Sequence, residues 1–313
     1  MLKYIVRRVI LMLFILLCVS IVTFSMMHLV PGDPAKIIAE QRYGEGVTSE
    51  TVEWVRKDLG MDGAIAVQYF AWLTGVMQGD LGYSYSTDRP VWKEISSRFP
   101  ATLELALAAM LVSLLISIPI GIYSAMKKYS IMDNISMFAA MLGVSMPNFW
   151  LGLLLILFFS VHLGWFPVYG RQDVTSLVLP AVTLGTGTAA VTARLVRSSM
   201  LEVLKQDYIR TAYSKGLKEI IIIYKHALKN AFIPVVTVIG LQFGALLEGA
   251  VVVEVIFAWP GIGRLLVDAI FARNFPVIQG CVLIITIFYV MINLLIDILY
   301  VWLDPRIRYD NKL

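Results

Sequence analysis

The sequence predicts an all-α polytopic membrane protein with six transmembrane helices. Three observations carry this expectation. Of its 313 residues, 58% are hydrophobic and only 15% are charged, with a mean hydropathy of +0.77; a soluble domain carries about 25% charge. Six apolar stretches, roughly 9–30, 101–126, 134–161, 177–199, 231–256 and 277–303, are each long enough for a hydrocarbon core about 30 Å thick. Most of the 26 Lys and Arg residues cluster in alternate loops, as the positive-inside bias requires. The net charge of +4 and pI near 8.9 follow from that distribution and do not call for nucleic acid as a partner.

The first stretch follows Lys3, Arg7 and Arg8 and superficially copies a secretory signal. It is longer than a signal's apolar region and no small-residue cleavage site closes it, so it is expected to be retained as the first span. Residues 31–100 form the longest polar segment, a loop with a helix expected at 49–59 behind Thr48 or Ser49 as cap and Gly60 as stop. Asp80-Leu81-Gly82 and Asp88-Arg89-Pro90 are expected to turn. The fourth span has the weakest apolar signal, because it contains Gly185, Thr186, Gly187, Thr188, Ala189 and Ala190. Such a surface suits close packing on another helix. The fifth span, with Pro234, Gly240, Gly244 and Gly249, suits the same role, and its proline is tolerable where neighbours satisfy the freed carbonyl.

With the N-terminus inside, the loops carrying Lys127, Lys128 and the series Arg194 to Lys229 fall in the cytoplasm, together with the tail bearing Arg306, Arg308 and Lys312. Both termini are therefore expected to be cytoplasmic. The expected organisation is a tail and first helix at 1–30, an extracytoplasmic loop at 31–100, a membrane core at 101–303 with a cytoplasmic loop at 200–230, and a tail at 304–313.

That cytoplasmic loop is the most patterned part of the chain. Leu201, Leu204, Tyr208 and Ala212 recur at helical spacing, widened by Ile209 and Tyr213, while Glu202, Lys205, Gln206, Asp207 and Arg210 are polar. One amphipathic helix is expected to run to about Ser214, where Gly216 can end it. A basic amphipathic helix serves either to dock a cytosolic partner or to lie on anionic lipid; the pattern alone leaves both open.

Segment 206–217, Gln-Asp-Tyr-Ile-Arg-Thr-Ala-Tyr-Ser-Lys-Gly-Leu, resembles the coupling loop of the permease subunits of binding-protein-dependent ABC importers. The general signature begins Glu-Ala-Ala, whereas Arg210-Thr211-Ala212 stands here, followed by the expected spacer and Gly216. This departure resembles the peptide/nickel branch. So do Leu29-Val30-Pro31-Gly32-Asp33-Pro34, Phe99-Pro100-Ala101-Thr102-Leu103-Glu104, Ser145-Met146-Pro147-Asn148-Phe149-Trp150, Leu163-Gly164-Trp165-Phe166-Pro167, Glu254 with the run from Phe257 to Arg264, and Asp304-Pro305-Arg306-Ile307-Arg308. The resemblance spans nearly the whole chain and leans towards nickel-transport members, with peptide members sharing almost the same framework.

The resemblance implies a second homologous permease, two cytosolic ATPases that bind ATP and Mg, an extracytoplasmic solute-binding protein and surrounding membrane lipid. It implies no cofactor held by this chain. Glu202, Asp207, Tyr208, Arg210, Thr211, Ala212, Gly216 and Leu217 would couple to the ATPases. The residues themselves agree on one point: no glycine-rich phosphate loop with its lysine is present, so an enzymatic role is not expected.

Intramembrane polar residues are costly unless they face protein or water. Glu248, Asn293 and Asp297 are therefore candidates for the translocation path or a subunit interface, an internal hydrogen bond being the plainer alternative. Glu254 is expected to fix a helix or loop. Pro260, Gly261, Gly263 and Arg264 begin a turn and short helix expected on the outer face, as a gate or a docking point. His28 and His162 would be the imidazole ligands if the cargo were nickel, but interfacial hydrogen bonding is the plainer account and no metal site is expected. Cys18 and Cys281 are expected to be small buried hydrophobes. Inverted repeats or a line of charged groups would favour a channel or a secondary transporter, and neither is seen in the sequence; a receptor scaffold whose cytoplasmic loop binds a non-ATPase partner is a further alternative.

Overall fold

The computed structural model describes residues 2–29 and 32–303. The motif at 304–308 and the basic tail lie outside the described residues. Helices dominate: α1 (Leu2–Leu29), α2 (Pro34–Tyr43), α3 (Ser49–Asp58), α4 (Ile65–Met77), α5 (Val91–Met126), α6 (Ile131–Ser145), α7 (Asn148–Leu155), α8 (Val178–Val203), α9 (Asp207–Ser214), α10 (Glu219–Ile221), α11 (Leu228–Ile256), α12 (Ile262–Phe271) and α13 (Phe275–Leu303). Two π-helical stretches, Ile156–His162 and Ile222–Ala227, extend α7 and α10, and a 3-10 turn at Val174–Leu177 leads into α8.

Among the described residues, five helices are long and apolar enough to cross a membrane: Val6–Leu29, Val91–Met126, Val174–Val203, Pro234–Ile256 and Phe275–Ile298. The remaining expected span, the third at 134–161, differs from a straight rod. Ile131–Ser145 and Asn148–His162 meet at 106°. Pro147 causes the break, because it has no N–H to continue the ladder and forces the residue before it out of helical geometry; Met146 accordingly sits at φ −84°, ψ 120°. The second span begins at Val91 rather than at 101, its first turns held by the buried Val91 and Ile95.

The chain forms two compact units. The first comprises residues 1–101 and 260–290. Pro34 occupies the first turn of α2, where its missing N–H costs nothing, and Asp33 caps that helix by accepting from the Ala35 N–H at 3.1 Å. Arg56 of α3 forms an ion pair with the same aspartate. Thr48 caps α3 and Gly60, at φ +63°, follows it, as the sequence led one to expect. Gly82 donates its N–H to Asp80 in the expected turn. Helices α2 and α4 are additional to the single helix expected in this segment. Ile38, Ala39, Val55, Met27 and Phe275 form one small core, and Val91, Ile95, Ile262, Leu265 and Val277 another. Cys281 is buried in the second core, whereas Cys18 is exposed on α1, correcting the expectation that both are buried. Asn274 ties the unit's polar loop together, accepting from the Tyr85 N–H and donating to Ser84 and Ser86.

Among the described residues the second unit comprises 102–259 and 291–303, and α8 is its centre. The small residues that weaken α8 as an apolar span let it approach its neighbours. A Cβ built on Gly185 would lie 2.5 Å from the Ala109 carbonyl oxygen of α5. Gly121 of α5 gives the same room to Val196 of α8, and Gly249 of α11 lets Leu184 approach. Thr192 of α8 donates to Gln242 of α11 at 2.8 Å, adding a polar link between helices.

Gly185→Ala should lower the thermal stability of the detergent-purified protein by about 1–3 kcal/mol, because the carbonyl it meets belongs to backbone. Gly187 has open space around it, so Gly187→Ala should be neutral or stabilising by up to ~1 kcal/mol. Equal melting temperatures for the two variants would contradict this packing.

Candidate functional site

The cytoplasmic-type segment folds as two short pieces where one amphipathic helix was expected. Helix α8 ends at Val203, the chain turns through 204–206 with Gln206 extended at ψ 149°, and α9 begins at Asp207. The turn returns α9 to the bundle. Ile209 and Ala212 are buried with Val196, Met200, Ile222, Ile223 and Ala227; a helix continuing straight would carry both away from that cluster. The buried face is thus Ile209 and Ala212, and Tyr208, expected on it, is exposed and accepts a hydrogen bond from the Asn230 side-chain amide at 2.8 Å.

Gly216 ends α9 as expected, at φ +73°. The Leu217 N–H bonds back to Ala212 and the Gly216 N–H to Tyr213, the paired bonds of a Schellman end. The open face of the segment then carries Tyr208, Tyr213, Leu217, Ile220 and Tyr224. Glu202, Asp207, Arg210 and Thr211 are exposed beside them. The Arg210–Asp207 pair at 3.6 Å is almost fully solvated, so it contributes little to holding the shape.

An ion pair anchors the base of this segment. Arg197, in the last turns of α8, grips Asp133 of α6 through two bonds of 2.7 Å. Asp133 is 1% exposed and also accepts from the Tyr129 backbone N–H, while Ser130 caps α6 by accepting from the Asp133 N–H. The sequence reading did not pair Arg197 with Asp133. Two signals pointed to Asp133: it stands alone as a carboxylate at the start of an apolar stretch, and a serine three residues earlier marks a helix start. Arg194 is exposed and points to no comparable role.

The polar residues of α11 divide into two kinds. Glu248 is exposed, and among the described residues no hydrogen bond or ion pair reaches it. It shares one face of α11 with the exposed Leu241, Ala245, Val252 and Val255. Glu254 is fully buried and accepts from the Thr102 hydroxyl at 2.6 Å. Asn293 and Asp297, one helical turn apart on α13, are half-buried.

Beyond Glu254 the chain makes a tight corner. Its carbonyl accepts the Trp259 N–H at 2.8 Å, Ala258 turns at φ +50°, and Phe257 and Trp259 are among the largest fully buried side chains. Arg171 lies over the Trp259 ring at 5.8 Å and pairs with Glu104 at 2.7 Å. Gly170 donates its N–H to the Phe257 carbonyl. Three motifs distant in sequence, around 102–104, 170–171 and 254–259, therefore share one corner.

In the other unit, Gly261 begins the expected short helix, α12, whose Ile262, Gly263, Leu265 and Ala269 are buried. Pro260 is half-buried, and Arg264 pairs with Asp268 at 3.8 Å. His28 lies against Phe24 with ring centroids 5.1 Å apart and its Nδ1 buried. His162 is exposed, with Nδ1 3.0 Å from the Leu157 carbonyl. Among the described residues no three His, Cys, Asp or Glu side chains gather within reach of one metal ion.

Asp133→Asn or Arg197→Gln should each destabilise the protein by on the order of 3 kcal/mol, since either leaves a partner without its counter-charge. The double substitution should cost clearly less than the sum of the two. Additive losses in a thermal-unfolding cycle would show that the pair is not coupled.

Comparison with known proteins places this architecture. Residues 117–309 match the family model "Binding-protein-dependent transport system inner membrane component", and residues 1–106 match "Binding-prot-dependent transport system membrane comp, N-term". The chain is 45% identical to the glutathione transport system permease protein GsiC of Pectobacterium atrosepticum, over 99% of this chain and 100% of that protein. It is 42% identical to the dipeptide transport system permease protein DppB of Escherichia coli K12, over the same shares. Among solved structures it resembles an inward-facing MetNI methionine ABC transporter, with a TM-score of 0.56 at 18% identity over 67% of this chain and 95% of that chain. It also resembles an amino acid ABC transporter, with a TM-score of 0.53 at 16% identity over 66% and 93%. At those identities the two structures speak for the fold alone. With both family models matched in order and the bundle in place, the chain belongs to the inner membrane components of binding-protein-dependent transport systems, as a multi-pass permease subunit of an ABC importer.

Proposed function

We propose that this permease passes peptide-type solutes and forms half of their path across the membrane. Identity of 42–45% along essentially the whole chain to glutathione and dipeptide permeases is the observation that carries this reading. The earlier leaning towards nickel, drawn from the wording of 145–150 and 257–264, is given up: the relatives named above are named for glutathione and dipeptides.

The remaining half of the path comes from a second, homologous permease, and ATP and Mg bind to two cytosolic ATPases. The open face of 208–224 is the surface for one of those ATPases. It is firm because Ile209 and Ala212 are packed beneath it, so movement at the face passes to α8 and α11. Both termini then lie in the cytoplasm, and 31–100 together with 260–275 faces the solute-binding protein. Residues 260–264 sit at the start of that contact. The chain itself performs no covalent step; ATP shifts the balance between outward and inward states.

Glu248 belongs to the path or to the face shared with the second permease. A bare carboxylate deep in an apolar span is tolerable only where water or a partner meets it, and it fits the ammonium end of a peptide. Asn293 and Asp297 are weaker candidates for the same lining, being half-buried.

In the complete complex reconstituted in liposomes, short peptides should stimulate ATP hydrolysis and uptake in the presence of the binding protein. Stimulation by nickel species and none by peptides would overturn the reading. Glu248→Leu should reduce uptake roughly tenfold or more, equivalent to about 1.4 kcal/mol, while leaving the melting temperature of the chain almost unchanged. Wild-type uptake in that variant would remove Glu248 from the path. Ile220→Asp should weaken ATPase association without unfolding the segment, because its side chain is 63% exposed; pull-down of the ATPases at wild-type level would exclude this face.

A further inference from the structure

The first unit contains a cavity of about 690 Å³ that has no part in the coupling surface or in the α11 face. It lies where the last turns of α1 and the first turns of α13 meet the polar segment between α2 and α5. Both helices are membrane spans, so the cavity opens at a membrane–water boundary. Phe24, Arg42, Asp58, Trp72, Tyr85 and Gln279 form its working walls.

Arg42 is the only cation among the lining residues, and it is incompletely satisfied. Its nearest carboxylate, Asp58, stands 3.9 Å away, and its guanidinium carbon lies 5.7 Å from the centre of the Tyr85 ring. Its Nε is buried, and among the described residues no acceptor meets it. A planar guanidinium with an unmet donor inside a cavity is suited to a carboxylate or phosphate. Burial pushes the Tyr85 phenol up to about 12, with Arg42 pulling the other way, so the ring stays a neutral donor at physiological pH.

The same walls also suit a cation. Asp58 and Asp88 both line the cavity and both keep exposed surface. The Phe24 and Trp72 rings pack together, with centroids 5.6 Å apart, and present aromatic surface to the space. Carboxylates beside aromatic faces favour an ammonium group. A simple anion would meet two carboxylates and one guanidinium, which is an unfavourable balance. A molecule carrying both charges matches the set.

We propose that this cavity is a binding site for a zwitterion with an apolar body. The oxyanion rests on Arg42, the ammonium on the Asp58 side, and the apolar part against Phe24 and Trp72. Two sources share that chemistry: the ethanolamine headgroup of a phospholipid and a free short peptide. The inference does not depend on the solute carried through the path.

The test is isothermal titration of the detergent-purified complete transporter with dihexanoyl phosphatidylethanolamine, dihexanoyl phosphatidylglycerol and trialanine. Two variants accompany it: Arg42→Gln removes the cation, and Ala71→Trp fills the mouth from an exposed lining position. Unaltered basal ATP hydrolysis checks that each variant is assembled. At least one zwitterionic probe should bind, and each variant should weaken it by about tenfold or more. The probe that responds identifies the source, because trialanine held only in the translocation path would be indifferent to both variants. Binding of every probe unchanged by both substitutions would overturn the site. Phosphatidylglycerol binding as tightly as phosphatidylethanolamine would overturn its zwitterionic character.

Discussion

Lipid tails are as apolar as leucine, so helices inside a bilayer gain nothing by hiding apolar surface from them; they associate through close contact and shared hydrogen bonds. That constraint makes α8 the element on which the second unit depends. Its Gly185 meets the α5 backbone, its Val196 fills the space left by Gly121, and its Leu184 fits against Gly249 of α11. Thr192 adds a hydrogen bond to Gln242. The helix with the least apolar signal is thereby the one with the largest share of its span buried. Lipid solubility and structural centrality run in opposite directions here, for a simple reason: small side chains attract lipid poorly but admit a neighbouring backbone.

The same helix carries the segment proposed above as the coupling surface. Arg197 is locked to Asp133 near its end, and the Val196–Met200 turn forms the floor on which Ile209 and Ala212 sit. A surface that transmits force must be stiff where it meets the bundle and open where it meets a partner. The first condition is satisfied by the ion pair, the apolar cluster and the Schellman end at Gly216. The second is satisfied by the exposed tyrosines and aliphatic side chains above them. Coupling in such an arrangement is movement of a packed body, and no titrating group is needed for it.

Helix α11 shows how two glutamates six residues apart acquire different meanings. Glu254 is enclosed and accepts from Thr102, so it holds a corner where the segments around Glu104, Arg171 and Trp259 meet. Glu248 is on the opposite footing, exposed on an apolar face. A carboxylate in the first setting is structural. In the second it is tolerable in an apolar span only where a partner chain or water meets it, which is the basis of the role proposed above.

Much of this was legible in the sequence because its physics is local or additive. Apolar length marked the spans; Thr48 and Gly216 marked helix ends through their own backbone preferences. The resemblance of 206–217 and its companion motifs identified the family, since order and spacing survive where single residues change. The bend at Pro147 was not read from the sequence, where 134–161 was expected to run as one span; its angle depends on what each half packs against. Only the tertiary structure decided that α8 and α9 are separate, because burying Ile209 and Ala212 on a distant cluster outweighs continuing a helix through 204–206. It alone joined Asp133 to Arg197 and separated Glu254 from Glu248. Pairing and exposure are properties of residues far apart in the chain, and a periodic pattern along one helix carries no information about which neighbour covers which face.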